Sequence, residues 1–466
     1  MKFKLLVFFS SLQIIISAQS EIDIFINDEM ELKHISGVSA CVVKEGKLAW
    51  IGNYGIANRT TMDPVTPQTG FMLASISKTI TCTAIMQLFE EGYFGLDDDI
   101  NNYLPFEVHN PNYYDSVITF RQLLSHTSSL ADNWNILDTV YVYGDSPISL
   151  GDFMEGYFVP DGDYYYADDN FYTYPPATQY NYCNEAIALC GYLVEVFTGK
   201  AFNIYCNQEI FEPLCMENTA WFLSELDSNT IAHPYIYSSG AYHDQGLYCY
   251  PDYPDGQLRT TAISLAKFLW MNMNAGNFDG EQILESPTID LIRSAVVPEI
   301  DETQGLVWYN YSDYTGTWWG HSGGDAGVST DMYFNEATQT GVILLTNSGG
   351  NHNSMWYEIV EMAESLDVTN APEIACLTEI PAAISQVNLN PVRIYPNPSS
   401  EFIRINSAFL ITDYSIYNSN GIVCLQSDLH SDKIDISSLP SGIYTIEFRS
   451  DESEKSSCMQ NLFIKL

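Results

Sequence analysis

Ser75 and Lys78 are two residues whose types and spacing could support nucleophilic catalysis. They lie three apart in FMLASISKTITCTAIMQLFEEG, Phe71 to Gly92, where apolar residues on every side predict one buried helix. On a helix this spacing places both side chains on one face. Because burial disfavours an ammonium, we expect Lys78 to be a neutral amine that accepts the proton of Ser75.

The same spacing occurs again in Ser264 and Lys267, so spacing alone is a weak signal. This second pair lies at the start of an ordinary amphipathic helix, predicted over Thr260 to Asn274. The helix around Lys78 has no polar face onto which the lysine could turn. The environment of Lys78, rather than its spacing from Ser75, therefore favours the functional interpretation.

Tyr-x-Asn also occurs twice, and the copy at Tyr182 and Asn184 is the better candidate. It follows a proline-bearing loop and leads into a helix, an arrangement that can direct Tyr182 into a cleft, whereas Tyr205 and Asn207 lie within a continuing helical segment. A phenol near an ammonium loses its proton more readily. We therefore expect Tyr182 to share the base function with Lys78, and Asn184 to hydrogen-bond both the lysine and the substrate.

The segment GHSGGDAG, Gly320 to Gly327, supports two competing interpretations. It fits Gly-x-Ser-x-Gly, which would make Ser322 the nucleophile of an α/β-hydrolase-type enzyme. That motif needs a helix directly after the serine, but VSTDMYFN and VILLTN predict a hairpin here. Alternatively, the small residues after His321 leave a strand edge open, where substrate backbone can pair and amides can face an oxyanion.

The elements that must position these residues alternate between strands and helices. An antiparallel hairpin is predicted around Lys44-Glu45-Gly46-Lys47, and we expect its sheet to begin the mature protein. Strands return near Gly320 after a helical middle, which predicts one α/β unit whose terminal strands share a sheet. The other predicted helices cover Ile118 to His126 and Asn184 to Phe197, and a last helix ends near Leu366.

After Leu366 the sequence changes character. Residues 368–390 contain prolines and no clear period, as a linker would. Residues 391–466 contain short strands separated by Asn-Gly and Pro-Ser-Gly turns, which predict a small all-β sandwich. The hydrolytic candidates all lie before the linker, in residues 21–367.

Composition excludes several function classes. The 466 residues include 18 Lys+Arg and 59 Asp+Glu, a formal net charge of −41 that repels nucleic acids and anionic membrane surfaces. The first 20 residues, MKFKLLVFFSSLQIIISAQS, have the layout of a secretory signal peptide. No later stretch approaches the ~20 apolar residues of a membrane-spanning helix, so we expect no such segment.

Metal ligands and disulfides give weaker signals. Asp161 to Asn170, DGDYYYADDN, lacks the spacing of an EF-hand and fits a solvated loop better, although its carboxylates leave cation binding open. The ten cysteines of an exported chain permit disulfides, but their pairing stays open.

Six blocks, in order, resemble the serine hydrolases related to class C β-lactamases and D-alanyl-D-alanine carboxypeptidases, over about Ile35 to Leu366. The blocks are FMLASISKTIT, ITFRQLLSHTSSL, PPATQYNYCNEAIALCGYLVEV, IFEPLCMENT, GQLRTTAISLAKFL and GHSGGDAGVSTDMYFN. The resemblance implies an α/β (α+β) fold: an antiparallel sheet flanked by helices, with an inserted all-helical domain and the active site between the two.

The resemblance also assigns roles to the candidate residues. It implies that Ser75 is acylated and then freed by water, with no metal or organic cofactor. Lys78 and Tyr182 would transfer protons, Asn184 would orient them, and the third motif would be His321-Ser322-Gly323, with the amides of Ser75 and Gly324 as the oxyanion hole.

The histidine at position 321 is a departure from the family, which often has lysine there. A histidine is only partly protonated near pH 7, so it offers a substrate carboxylate less charge. The sequence therefore predicts a secreted serine hydrolase acting on a small ester or amide, as an esterase, a D-amino-acid peptidase or a β-lactamase-like enzyme. The alternatives are the Ser322 enzyme and a catalytically silent relative that binds peptidoglycan or a peptide.

The tail resembles the C-terminal sorting domain of the bacterial type IX secretion system, over about Pro391 to Leu466. The resemblance rests on IYPNPSSEFIRI, IDISSLPSGIYTIEF and the terminal LFIKL. It implies a secreted or outer-surface protein whose tail meets the secretion machinery. The alternative is a carbohydrate-binding or adhesive β-domain.

Overall fold

The computed structural model describes residues 21–377 and seven parts of the tail: 392–395, 401–407, 411–418, 421–429, 431, 433–450 and 458–465. The predicted signal peptide and most of the predicted linker lie outside the described residues. The chain divides into two compact units, Met1–Val387 and Asn388–Leu466, and each is described by itself.

The first unit is built on a seven-stranded antiparallel sheet with the order β12-β13-β14-β15-β1-β2-β3. Strand β1 pairs with both β2 and β15, so the two ends of the unit share one sheet, as predicted. The strands of this sheet are β1 (Gly37–Lys44), β2 (Lys47–Asn58), β3 (Asp63–Pro64), β12 (Tyr309–Asp313), β13 (Gly316–Asp325), β14 (Val328–Asn335) and β15 (Thr340–Thr346).

The β1–β2 turn lies where the sequence predicts it. Glu45 and Gly46 have positive φ angles of 52° and 78°, as a two-residue hairpin turn requires. A glycine meets this requirement without steric cost, and its φ explains why Gly46 stands at the second turn position.

A helix over residues 21–33, α1, precedes the sheet, so our expectation that the sheet begins the mature protein is wrong. Ile22, Ile26 and Met30 repeat every four residues and are buried. They belong to one apolar cluster with Val38 and Trp50 of the sheet. The helix therefore packs against the sheet, because it covers apolar residues on one of the sheet's faces.

The predicted helix Phe71 to Gly92 is shorter than expected. Phe71–Met72 forms a short strand, β4, and Ala74–Ile76 a 3₁₀ turn, before helix α2 covers Ser77–Glu90. Strand β4 pairs with β9, Arg259–Thr260, a partner far away in sequence that no local pattern indicates.

Short helices between residues 120 and 206 form the predicted helical insertion, and later helices return to the sheet. The remaining helices are α3 (Phe120–Leu124), α4 (Trp134–Leu137), α5 (Leu150–Phe158), α6 (Asn184–Thr198), α7 (Phe202–Cys206), α8 (Ala262–Met273), α9 (Ser286–Ile292) and α10 (Asn353–Ser365). The remaining strands of the unit are β5 (Val142–Tyr143), β6 (Tyr235–Ser238), β7 (Ala241–Asp244), β8 (Tyr248–Cys249), β10 (Asn277–Phe278) and β11 (Glu281–Gln282).

The residues just after α10 are attached to the first unit. A disulfide joins Cys215 to Cys376, and the Ile374 amide donates to the Gly46 carbonyl over 2.9 Å. The described start of the predicted linker, residues 368–377, is therefore packed against the first unit.

The tail forms two antiparallel sheets, which confirms the predicted small β-sandwich. Their orders are β16-β17-β20 and β19-β18-β21-β22, around a core that includes Ile403, Ile416 and Phe448. The strands are β16 (Val392–Tyr395), β17 (Phe402–Ser407), β18 (Ile411–Asn418), β19 (Val423–Asp428), β20 (Lys433–Asp435), β21 (Gly442–Ser450) and β22 (Cys458–Lys465).

In the parts of the chain that the structure describes, no single helix is long and apolar enough to cross a membrane. One pair, Asn184–Thr198 with Phe202–Phe211, reaches the required length and composition together but is bent by 81°.

Candidate active site

Ser75 lies on a tight turn between β4 and α2. Ala74, directly before it, has a φ of 48°, a left-handed conformation that is costly for a residue with a side chain and recurs at functional sites. The turn is held from outside, because the Thr330 hydroxyl donates to the Leu73 carbonyl over 2.7 Å and the Leu73 amide donates to the Leu258 carbonyl over 2.8 Å. Ser75 is therefore placed by contacts from β14 and from the segment before β9.

Lys78 is fully buried and reaches Ser75. Its Nζ donates to Ser75 Oγ over 3.0 Å and to the Asp255 carbonyl over 2.7 Å. The same nitrogen lies 4.9 Å from the centre of the Tyr182 ring. The structure thus brings together the three residues that the sequence proposed as nucleophile and proton-transfer pair.

The expected neutral amine at Lys78 is not supported. Burial acts to lower the pKa of Lys78, but the interactions of its ammonium with Tyr182, Asp255 and Asp132 outweigh burial, so the pKa is raised. Burial likewise raises the pKa of Tyr182, although Lys78 opposes this. Both shifts favour the protonated forms, an ammonium and a phenol, so this pair must lose a proton before it can act as a base.

The Tyr182 hydroxyl is buried close to Lys78 and Ser75. It makes no hydrogen bond of ordinary geometry with any residue that the structure describes. Lys78 and Ser75 lie near enough to act to lower its pKa, although neither forms a hydrogen bond of ordinary geometry with it. An unpartnered buried hydroxyl beside a nucleophile is available to a reacting group.

Asn184 forms no hydrogen bond with Lys78 among the described residues, contrary to our expectation. Its side-chain amide donates to Asp132 Oδ2 over 2.8 Å, and its backbone amide donates to Asp132 Oδ1 over 2.8 Å. The carboxylate of Asp132 thus fixes the start of α6 and the Tyr182 segment before it. Lys78 instead uses the carbonyl of Asp255, a residue that the sequence reasoning did not single out.

His126 is a second residue that the sequence reasoning did not assign. Its Nδ1 accepts from the Cys183 amide over 3.2 Å, and its carbonyl accepts from the Asn181 amide over 2.9 Å. Its ring lies 4.5 Å from that of Tyr182. His126 therefore positions Tyr182, and its place in the block ITFRQLLSHTSSL was the available signal.

His321 is neutral rather than partly protonated. Burial, helped by the charge of Lys78, lowers its pKa to about 3. Nδ1 lies 2.6 Å from the Ser322 carbonyl, which makes Nδ1 the protonated nitrogen and leaves Nε2 as a buried acceptor. This ring cannot supply a positive charge for a substrate carboxylate.

Ser322 lies inside β13 and not on a turn from a strand to a helix. The strand pairs with β14 through Ser322 and Asp331, and the hairpin expected from the sequence follows. The serine hydroxyl contacts the Tyr309 hydroxyl over 3.0 Å. This geometry contradicts a nucleophile elbow at Ser322.

The second half of β13 has an open edge beside Ser75. Strand β12 pairs with β13 only as far as Gly320, so the edge beyond it is free of β12. A Cβ at Gly323 would lie 2.2 Å from the Leu73 carbonyl oxygen and 3.1 Å from the Ser75 nitrogen, while one at Gly324 would meet nothing within 4 Å. The absence of a side chain at Gly323 therefore lets β13 approach the turn that carries Ser75, whereas Gly324 faces open space.

Buried carboxyl groups surround the base of the site. Burial raises the pKa of Glu185 and of Asp255 well above the ordinary range, and raises that of Asp252 to about 6. Asp255 Oδ1 and both Glu185 oxygens have no partner of hydrogen-bond geometry among the described residues. Several carboxyl groups near Lys78 are therefore shifted toward their protonated, uncharged forms.

The competing motifs have structural roles. Lys267 donates to the carbonyls of Cys215 and Cys376 over 2.7 and 3.3 Å, and Ser264 donates to the Glu217 carbonyl over 2.7 Å. Tyr205 is buried in α7.

Asp161 to Asn170 has exposed carboxylates and ends at the buried Asn170, whose side chain donates to the Tyr157 and Tyr164 carbonyls. Within the described residues, no group of three or more His, Cys, Asp or Glu is arranged to hold a metal ion.

The fold is of the β-lactamase/transpeptidase-like class, whose relatives are serine hydrolases. The chain belongs to the β-lactamase family, whose model matches residues 22–364. A second model, the secretion system C-terminal sorting domain, matches residues 393–464 and indicates export through the type IX system.

Individual relatives agree with this assignment. The chain is 26% identical over 332 residues to penicillin-binding protein 4 of Amycolatopsis lactamdurans, covering 68% of this chain and 82% of the relative. An octameric penicillin-binding protein homologue from Pyrococcus abyssi superposes with a TM-score of 0.61 at 20% identity, covering 96% of this chain and 99% of its own. The D-amino acid amidase of Ochrobactrum anthropi SV3 gives a TM-score of 0.62 at 19% identity, covering 75% and 99%.

Proposed function

We propose that the protein is an exported serine hydrolase that forms an acyl-enzyme at Ser75 with a small ester or amide. The observation that carries this proposal is the 3.0 Å hydrogen bond from a fully buried Lys78 to Ser75 Oγ, with the Tyr182 hydroxyl unpartnered beside it. A nucleophile and a base within hydrogen-bond reach are what covalent catalysis requires.

In the proposed reaction, the Lys78–Tyr182 pair first loses a proton to solvent. Ser75 Oγ then attacks the substrate carbonyl carbon while its proton passes to the pair, and the developing oxyanion lies near the amides of Ser75 and Gly324. The pair returns the proton to the leaving alcohol or amine. Water attacks the ester of Ser75 in the same way and regenerates the hydroxyl.

The neutral His321 bears on the substrate class. Lysine at this position would carry a permanent charge, whereas His321, with its pKa near 3, carries none at neutral pH. This supports an ester or a small amide over a substrate that must be held by its carboxylate, such as a β-lactam.

Turnover by the full-length chain on panels of esters, D-amino-acid peptides and β-lactams tests the proposal. We expect ester or amide hydrolysis that Ser75→Ala abolishes and Ser264→Ala retains, since Ser264 belongs to the structural copy of the motif. Turnover that persists in Ser75→Ala would contradict the proposal, and no turnover by the wild type on any panel would favour a binding function.

A further inference from the structure

Asp325 ends β13 close to the nucleophile. Side chains two apart on a strand share a face, so Asp325 is on the same face as Gly323, whose Cβ position borders Leu73 and Ser75. Two residues along a strand span about 7 Å, a gap that an aminoacyl group, its hydrogen bond and the Asp325 side chain can cover together. The charge of Lys78 also reaches Asp325 and acts to lower its pKa.

A cluster of three tyrosines lies on one side of the Asp325 carboxylate. The Tyr141 hydroxyl lies 3.4 Å from Asp325 Oδ1, and the Tyr141 ring lies 5.5 Å from Tyr248 and 4.9 Å from Tyr250. These rings, with Met72, Ala74 and Val328, form one apolar cluster beside the nucleophile turn. Tyrosine faces and a carboxylate together favour an ammonium group.

No described lysine or arginine forms an ion pair with Asp325. Arg259 is a buried cation near Tyr248, but its guanidinium donates to the carbonyls of Tyr248 and Gln257 and not to Asp325. Burial raises the pKa of Asp325, and although hydrogen bonds from Ala326, Tyr248 and Tyr141 and the charge of Lys78 oppose this, no described ion pair gives Asp325 a direct counter-ion. A cationic substrate group would supply that counter-ion.

We propose that Asp325, with Tyr141, binds the ammonium group of a substrate whose acyl carbon lies at Ser75. The preferred substrates are then esters or amides of amino acids with a free amino group, or peptides with a free amino terminus. This inference rests on the proposed hydrolysis at Ser75 and specifies its substrate class. The net charge of −41 favours the approach of such cations.

The test compares three methyl esters that differ only at the amino position: alanine methyl ester in both enantiomers, N-acetylalanine methyl ester and methyl propionate. Methanol release by the full-length chain gives kcat/KM for each. We expect the free-amine ester of at least one enantiomer to exceed methyl propionate about tenfold or more, the size of one hydrogen bond to a charged group. Asp325→Asn should bring that ratio close to one.

Asp325→Asn retains a side-chain oxygen that can accept from the Ala326 amide, a 2.6 Å bond in the wild type, so the turn is preserved. Asp168→Asn, on an exposed loop, is the matched control and should keep the wild-type ratio. Hydrolysis of methyl propionate at Ser75 without any preference for the amine would overturn this inference alone. Hydrolysis of none of the three esters, with no labelling of Ser75, would overturn the proposed function itself. An equal loss on all three esters in Asp325→Asn would assign Asp325 a structural role and also overturn the inference.

Discussion

Lys78 Nζ donates to Ser75 Oγ over 3.0 Å from a side chain that has no exposed surface. The second acceptor of the same nitrogen, the carbonyl of Asp255, comes from a segment 177 residues later in the chain. The position of the lysine is therefore fixed by tertiary structure as well as by the helix that carries it. This geometry makes several outcomes testable.

Lys78→Ala should lower kcat/KM for the best ester by about 10² to 10⁴, the range for loss of a general acid–base group. The matched control is Lys267→Ala, which also removes a buried ammonium that donates to backbone carbonyls. That variant should lose thermal stability and keep kcat/KM within about twofold. Steady-state kinetics and thermal melts of both variants separate catalysis from stability, and equal kinetic losses in the two would argue against a special role for Lys78.

The pH profile should have one rising limb on the alkaline side. The pKa of Lys78 and that of Tyr182 are both raised, so the fraction of the pair that has lost a proton grows as pH rises above neutrality. His321, with a pKa of about 3, should contribute no inflection between pH 5 and 8. Initial rates between pH 5 and 10, corrected for spontaneous hydrolysis, test this, and a limb near pH 6.5 that His321→Gln removes would contradict it.

Asp252→Asn should stabilise the protein at alkaline pH. Burial raises the pKa of Asp252 to about 6, above its ordinary 3.8, so its contribution to stability is full below pH 3.8 and is lost as pH rises through 6. Removal of the buried charge should add roughly 1 to 3 kcal/mol to the free energy of unfolding at pH 8, and less at pH 4. Denaturant unfolding at both pH values measures the difference. A larger gain in the free energy of unfolding at pH 4 than at pH 8 would contradict this prediction.

Cys376→Ser should destabilise the first unit by about 2 to 4 kcal/mol under oxidising conditions, because the disulfide to Cys215 restricts the unfolded chain. Cys424→Ser is the control, since Cys424 is a free and exposed cysteine. Thermal melts with and without reductant check this. Under reductant the wild type should match Cys376→Ser, and a wild type that melts at the same temperature in both conditions would show that the disulfide does not form.

The sequence predicted the elements whose patterns involve only residues close together in the chain. The hairpin at Glu45 and Gly46 was predictable because turn residues and alternation coincide there, and the buried helix around Lys78 because it has no polar face. The family resemblance supplied the roles that we propose for Ser75 and Tyr182, which spacing alone left open.

The sequence did not predict contacts between residues that are far apart in the chain. The direction of the Lys78 pKa shift depends on Tyr182, Asp255 and Asp132, which meet the lysine only in the folded chain. The same holds for the Asn184–Asp132 bonds and for the burial that makes His321 neutral. Residue type predicted which groups could take part, but the environment of each group decided its charge.

Labelling with a fluorophosphonate, followed by peptide mapping of the full-length chain, identifies the nucleophilic serine. We predict a single modified site at Ser75, which is lost in Ser75→Ala and retained in Ser264→Ala. Modification of Ser322, or of any serine other than Ser75, would contradict the account.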